Sequence, residues 1–118
     1  MALRRYKTFL RASEKEYEKY RATKQEENIA QAGEKLWNSF NMLIEHISGK
    51  KIRSFKQVQK ESQNLDTKHS DRIFTDAFEN AYKLHIFFYR GWTEDISEIA
   101  SLFVKTHALV VEIEKRYG

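Results

Sequence analysis

The chain has 118 residues, no proline, four glycines and no cysteine; 41% of its residues are hydrophobic, 32% are charged, and its formal charge is +4. Such a composition excludes collagen-like, disulfide-rich and low-complexity classes, and without cysteine there is no thiolate nucleophile and no Cys-based zinc site, as suits a reducing cytoplasm. Proline costs a helix interior roughly 3 kcal/mol and sheets of many short strands need Gly/Pro punctuation, so the expectation is one soluble all-α domain over residues 1–118.

Leu3, Tyr6, Leu10, Ser13, Tyr17 and Tyr20 recur at alternating spacings of three and four. That is one stripe of a first helix from about Leu3 to Arg21. Thr23-Lys-Gln-Glu26 reads as a capping box for a second helix over about Lys24–Ser48. Its stripe is Ile29, Gly33, Leu36, Trp37, Phe40, Leu43, Ile44 and Ile47, with Gly33 placed to admit another helix closely and Gly49 as the C-terminal stop. Ser54-Phe-Lys-Gln57 is a second capping box, for a short helix ending near Glu61; the polar run Ser62–Ser70 reads as a loop.

A fourth helix is expected over Asp71–Tyr89, with the stripe Phe74, Ala77, Phe78, Ala81, Leu84, His85 and Phe88. Gly91 would stop it, with Trp92 folded back on Phe87 or Phe88. Thr93 would cap a fifth helix with the stripe Ile96, Ile99, Ala100, Phe103, His107, Val110 and Glu114, widened by Leu102, Leu109 and Ile113. Four long amphipathic helices with mostly short connections pack best as an antiparallel four-helix bundle, here with one additional short helix. The start of helix two and the finish of helix four would then share one end.

The charge is uneven. Residues 1–60 hold 14 Lys/Arg and 7 Asp/Glu, whereas residues 61–118 hold 7 and 10. One basic cluster is Arg4, Arg5, Lys7 and Arg11; the other is Lys50, Lys51, Arg53, Lys56 and Lys60, with no acid between Glu45 and Glu61. Such a segment can neutralise phosphates and makes binding salt-dependent. It is equally the composition of a solvated face. The longest apolar runs are four residues, Ile86–Tyr89 and Ala108–Val111, where a membrane span needs about 20. Neither a membrane segment nor a signal peptide is expected.

Phosphate-binding glycine loops, zinc-protease and serine-hydrolase motifs are all missing. Only Asp66-x-x-His69 approaches the carboxylate–histidine spacing of di-iron bundles, so no metal and no cofactor are expected. His85 and His107 lie on apolar stripes, where a histidine is usually a hydrogen-bonded structural residue. Beside a charged partner either would serve as acid or base. The topology brings Glu34, Lys35 and Trp37 toward His85, Tyr89, Arg90 and Trp92. That polar and aromatic cluster suits a nucleotide or an anion.

Ala32-Gly-Glu-Lys-Leu-Trp37 and Leu84-His-Ile-Phe-Phe-Tyr-Arg-Gly-Trp92 resemble the PaREP1 group of archaeal proteins. Their helices carry a similar A-x-E-K-L-W stretch and a later L-H-x-N-F-Y-x-G stretch. Phe87 stands here where the second pattern has asparagine, which would remove a polar group from a shared site. The PaREP1 group in turn resembles the HEPN superfamily. That resemblance implies an antiparallel helical bundle, a homodimer, archaeal origin and a cytoplasmic location. Many HEPN relatives are metal-independent ribonucleases of toxin–antitoxin or defence systems, paired with nucleotidyltransferases. Their signature is an arginine followed, after four to six residues, by a histidine. No histidine of this chain has it: the positions before His85, for example, are Phe78, Glu79 and Asn80. The order is inverted at His85 and Arg90.

Three functions therefore stand at the level of sequence. The leading one is a HEPN-like, non-catalytic binding module for RNA, a nucleotide or a partner protein, resting on the basic segment and the missing signature. The second is a divergent ribonuclease using His85 with Arg90, Glu34 or Lys35. The third is a purely structural assembly protein.

Overall fold

The computed structural model describes residues 5–90 and 95–118. Within them the chain forms five α-helices and no strand: α1 (Arg5–Thr23), α2 (Glu26–Ser48), α3 (Phe55–His69), α4 (Ile73–Arg90) and α5 (Ile96–Tyr117). Most residues of the expected stripes form the core or pack against it, whereas His85, Phe88, His107 and Glu114 are half-buried outside it. Tyr6, Ile29, Leu36, Phe40, Ile44, Phe74, Leu84, Val110 and Ile113 are each at most 1% exposed. On α4 the stripe turns through Phe87, which is buried, rather than Phe88. On α5 the buried set includes Thr106, whose hydroxyl donates to the Leu102 carbonyl at 2.7 Å. That local bond satisfies a polar group the core would otherwise reject.

Three helix pairs run antiparallel: α1 with α2, α2 with α4, and α1 with α5. Asn28 of α2 meets Glu16 of α1, while Ser39 donates to the Tyr6 carbonyl at 2.7 Å. Trp37 meets His85, while Phe40 meets Phe78, so α2 and α4 also run in opposite directions. Tyr17 stacks on Phe103 and Lys7 pairs with Glu114, reversing α5 against α1. The first half of α2 thus lies beside the last half of α4, as the topology required. No described helix is long and apolar enough to cross a membrane.

Three expectations about the connections are corrected. First, Thr23 does not cap α2. Lys24 takes a left-handed backbone (φ 60°) and Gln25 is the extended residue before α2, with no side-chain cap. In so tight a turn Thr23 still belongs to α1; its hydroxyl bonds the Lys19 carbonyl and accepts from the Gln25 N–H. Second, Ser62–Ser70 is not a loop, because α3 continues to His69. Val58, Ser62 and Leu65 are buried at helical spacing, and Ser62 donates to the Val58 carbonyl, so a polar-looking stretch still has an inner face. Third, α5 is capped by Asp95, which accepts from the Ser97 N–H at 3.0 Å. Gly91, Trp92 and Thr93, and Leu3 and Arg4 at the start, lie outside the described residues. The Ser54 cap holds, accepting from the Gln57 N–H at 3.2 Å.

The longer α3 carries Asp66 to the start of α4. Its carboxylate accepts from the N–H groups of Phe74 and Thr75 and from the Thr75 hydroxyl. Asp71 accepts from Arg72 and Ile73. Together they satisfy amides that a helix start leaves without partners. Asp66→Ala is expected to cost about 0.5–2 kcal/mol of unfolding free energy, read from urea denaturation.

Candidate functional site

The site begins with a missing side chain. A Cβ on Gly33 would lie 3.1 Å from the Leu84 Cβ, tighter than ordinary contact. Glycine therefore lets α2 approach α4 closely. The next residue on each helix is then brought into contact: Glu34 Oε1 lies 2.8 Å from His85 Nδ1. A carboxylate only accepts, so Nδ1 carries the proton and Nε2 is left as the ring's other nitrogen. Trp37, one turn further along α2, stacks on the His85 ring at 5.0 Å and 26°. Tyr89, one turn beyond His85, meets that ring edge-on at 4.8 Å. Burial pushes the Glu34 carboxyl above its ordinary 4.5; the His85 hydrogen bond and the positive charges of His85 and Lys35 pull it only part of the way back.

α3 supplies the second wall. Phe55 packs its ring against Tyr82 at 4.4 Å and Phe78 at 5.4 Å, yet stays 40% exposed. The segment before α3 is pinned at several points. Glu45 accepts from the Ile52 N–H, and the Gln57 side chain accepts from the Arg53 N–H and donates to the Lys51 carbonyl. Between α2, α3 and α4 lies an open cleft of about 250 Å³ whose lining includes Trp37, Asn38, Asn41, Arg53, Phe55 and His85.

The structure thus joins Glu34, Trp37, His85 and Tyr89 and adds Arg53. It separates others of the expected set. Lys50 lies 3.5 Å from the buried Glu61 carboxylate, which neutralises it. Lys51 and Lys56 are exposed, and Lys35 is half-buried beside Glu34. Arg90 is exposed and five residues past His85, which turns it about 140° around the helix. The inverted His–Arg pair is therefore not assembled on one face. Trp92 lies outside the described residues.

Asn38, Asn41, Phe55 and Tyr82 were missed by sequence reasoning. Spacing offered a partial signal, since Asn41 is one turn from Trp37 and Tyr82 three residues before His85. Nothing local announced that Phe55, inside a capping box, would reach them. Among the described residues no group of three or more His, Cys, Asp or Glu is placed to hold a metal ion.

His107 has an acid too: its Nε2 lies 2.7 Å from Glu14 Oε2. It lines a larger groove of about 380 Å³ between α1 and α5, with Tyr17, Glu18, Phe103 and Val104. Two carboxylates make that groove the poorer host for a phosphate.

Ala32–Trp37 and Leu84–Tyr89 are the two sides of one contact, Gly33 on Leu84 and Glu34 on His85. The model of the archaeal PaREP1/PaREP8 family matches residues 8–102. The chain belongs to this family. No curated protein and no solved structure matches it. In this PaREP1/PaREP8 chain Phe87 is 2% exposed and points about 200° away from His85 around α4. The departure at Phe87 therefore falls in the core, and it takes nothing from the cleft.

Glu34 gives a pH prediction with a definite sign. A carboxyl raised above its unfolded value binds protons more tightly in the native state, so its contribution to stability falls as pH rises through the interval between the two values. Glu34→Gln lacks that titration. The variant is expected to gain on the parent chain as pH rises from 4.5 through Glu34's raised value and to hold its gain above it, read from urea midpoints across the acid range.

Proposed function

We propose that this chain is a HEPN-like, non-catalytic RNA-binding module, with α1, α2, α4 and α5 forming the antiparallel four-helix bundle that such a module uses and α3 packed beside it as an additional helix. The observation that carries the reading is the juxtaposition at the α2–α3–α4 cleft. The exposed or half-buried rings of Phe55 and His85 share the cleft with Arg53, and Arg53 and its sequence neighbours Lys51 and Lys56 have no ion-pair partner among the described residues. Cations that track a backbone and rings that stack on bases are the two parts of a nucleic-acid surface. The missing arginine–histidine signature supports binding without cleavage.

The reading extends to the setting. A cytoplasmic homodimer, within a toxin–antitoxin or defence system and beside a nucleotidyltransferase-type partner, is the form proposed. Val104 at 50% and Val111 at 36% exposure lie two turns apart on α5; a small apolar stripe of this kind suits a second copy. Replacing both by Lys is expected to shift a dimer to monomer in sedimentation at micromolar concentration. A monomeric parent chain would count against the dimer.

One observation favours a second reading. Glu34 engages His85 through Nδ1 and leaves Nε2 as the ring nitrogen available to a general base. Should the chain cut RNA, His85→Gln must abolish the cutting for that reading to stand.

Fluorescence anisotropy with labelled RNA, and a gel of the same RNA, test the main reading. Binding is expected to weaken with salt while the RNA stays intact. Replacing Lys51, Arg53 and Lys56 together by Gln is expected to lower the slope of log affinity against log salt by about two, at roughly 0.7 per phosphate for a single strand. An unchanged slope, or no binding at low salt, would overturn it.

A further inference from the structure

Resting on the reading that this chain binds RNA, we infer that the α2–α3–α4 cleft seats one unpaired nucleotide of an RNA strand and reads its base edge. The cleft offers the three kinds of group a nucleotide needs, each on a different element. Phe55, from the first turn of α3, rests on Tyr82 and Phe78 yet keeps 40% of its surface open, so it presents a ring to the cleft. His85 faces the same space from α4, held by Glu34 and backed by Trp37. A base stacks on such rings whatever its identity.

The amides of α2 supply edge recognition. Asn41 uses its Nδ2 on the Trp37 carbonyl at 2.8 Å, which leaves Oδ1 as an acceptor. Asn38 lines the cleft and makes no side-chain hydrogen bond among the described residues, so it retains a donor and an acceptor. Paired bases have these edges engaged and lie stacked inside a duplex; an unpaired base presents them. Arg53 places one cation at the cleft, and Lys51 and Lys56 stand exposed outside it. One cation inside and two outside match a strand whose neighbouring phosphates run past the site. A free nucleotide would leave the outer two unused.

The test uses the full chain with Trp92→Phe, so that Trp37 is the single tryptophan. Its emission reports an occupant of the cleft, and anisotropy reports binding. Probes are homopolymeric single strands of about ten nucleotides, a duplex of matching length, inorganic polyphosphate and the free nucleoside monophosphates. Single strands are expected to quench Trp37 and to bind more tightly than duplex. Phe55→Leu should weaken them on the order of tenfold and leave polyphosphate binding unchanged. Asn38→Leu should change the ranking among the homopolymers, and should Phe55→Leu fail to fold, Asn38→Leu and Arg53→Gln carry the comparison. Equal binding of single strand and duplex without quenching would overturn the cleft assignment while RNA binding stands. Monophosphates that quench at the same concentration as the oligomers would overturn the strand as occupant. No binding of any of these polyanions would remove the RNA-binding reading itself.

Discussion

The close approach of α2 to α4 at Gly33 is the contact from which the rest of the site follows. A side chain there would meet Leu84 at 3.1 Å, and cores resist even small overpacking. Because the two backbones come together at that level, Glu34 and His85 fall within one hydrogen bond and Trp37 reaches the imidazole ring. Further along the same interface Phe40 meets Phe78, both buried. One glycine thus links the packing of the core to the geometry of its polar margin.

The Glu34–His85 pair sits at that margin: the side chains are 13% and 25% exposed. Full burial would make such a pair costly, and full exposure would screen it. At the boundary, the carboxylate is desolvated enough to hold its proton more tightly than usual while still orienting the ring. The arrangement recurs at Glu14 and His107, where the acid is more exposed and a second acid, Glu18, shares the groove. Two similar pairs therefore stand in opposite electrostatic settings, one beside exposed cations and one among carboxylates. It is the setting, more than the pair, that separates the two grooves as hosts for an anion.

Periodicity made most of the fold legible. The stripes of α1, α2, α4 and α5 followed spacings of three and four, and most of those residues form the core or pack against it. Local capping was legible where the cap closes within one turn, as at Ser54 and Gly49. It failed at Thr23, because a left-handed Lys24 ends α1 within two residues of α2 and no local rule foresees it. It failed for α3 as well. Its inner face is Val58, Glu61, Ser62 and Leu65, and half of that face is polar. Ser62 bonds its own helix and Glu61 pairs with Lys50 from the preceding loop, so burial there rests on partners that hydropathy does not register.

The sequence by itself determined the helical class, the inward faces and the approach of Glu34 and Trp37 to His85, since an antiparallel run of helices leaves those residues at one end. It also carried both stretches on which the resemblance to the PaREP1 group rests, and the family model matches residues 8–102. Only the tertiary structure decided that Phe55, Asn38, Asn41 and Arg53 share a cleft with that cluster, that Lys50 is neutralised by Glu61, and that Arg90 turns away. The physical reason is one of range. Helical period sets which way a side chain faces relative to its own axis, whereas its neighbours across a gap depend on where α3 docks, and that is settled by long-range contacts such as Asp66 on the start of α4 and Phe55 on Tyr82.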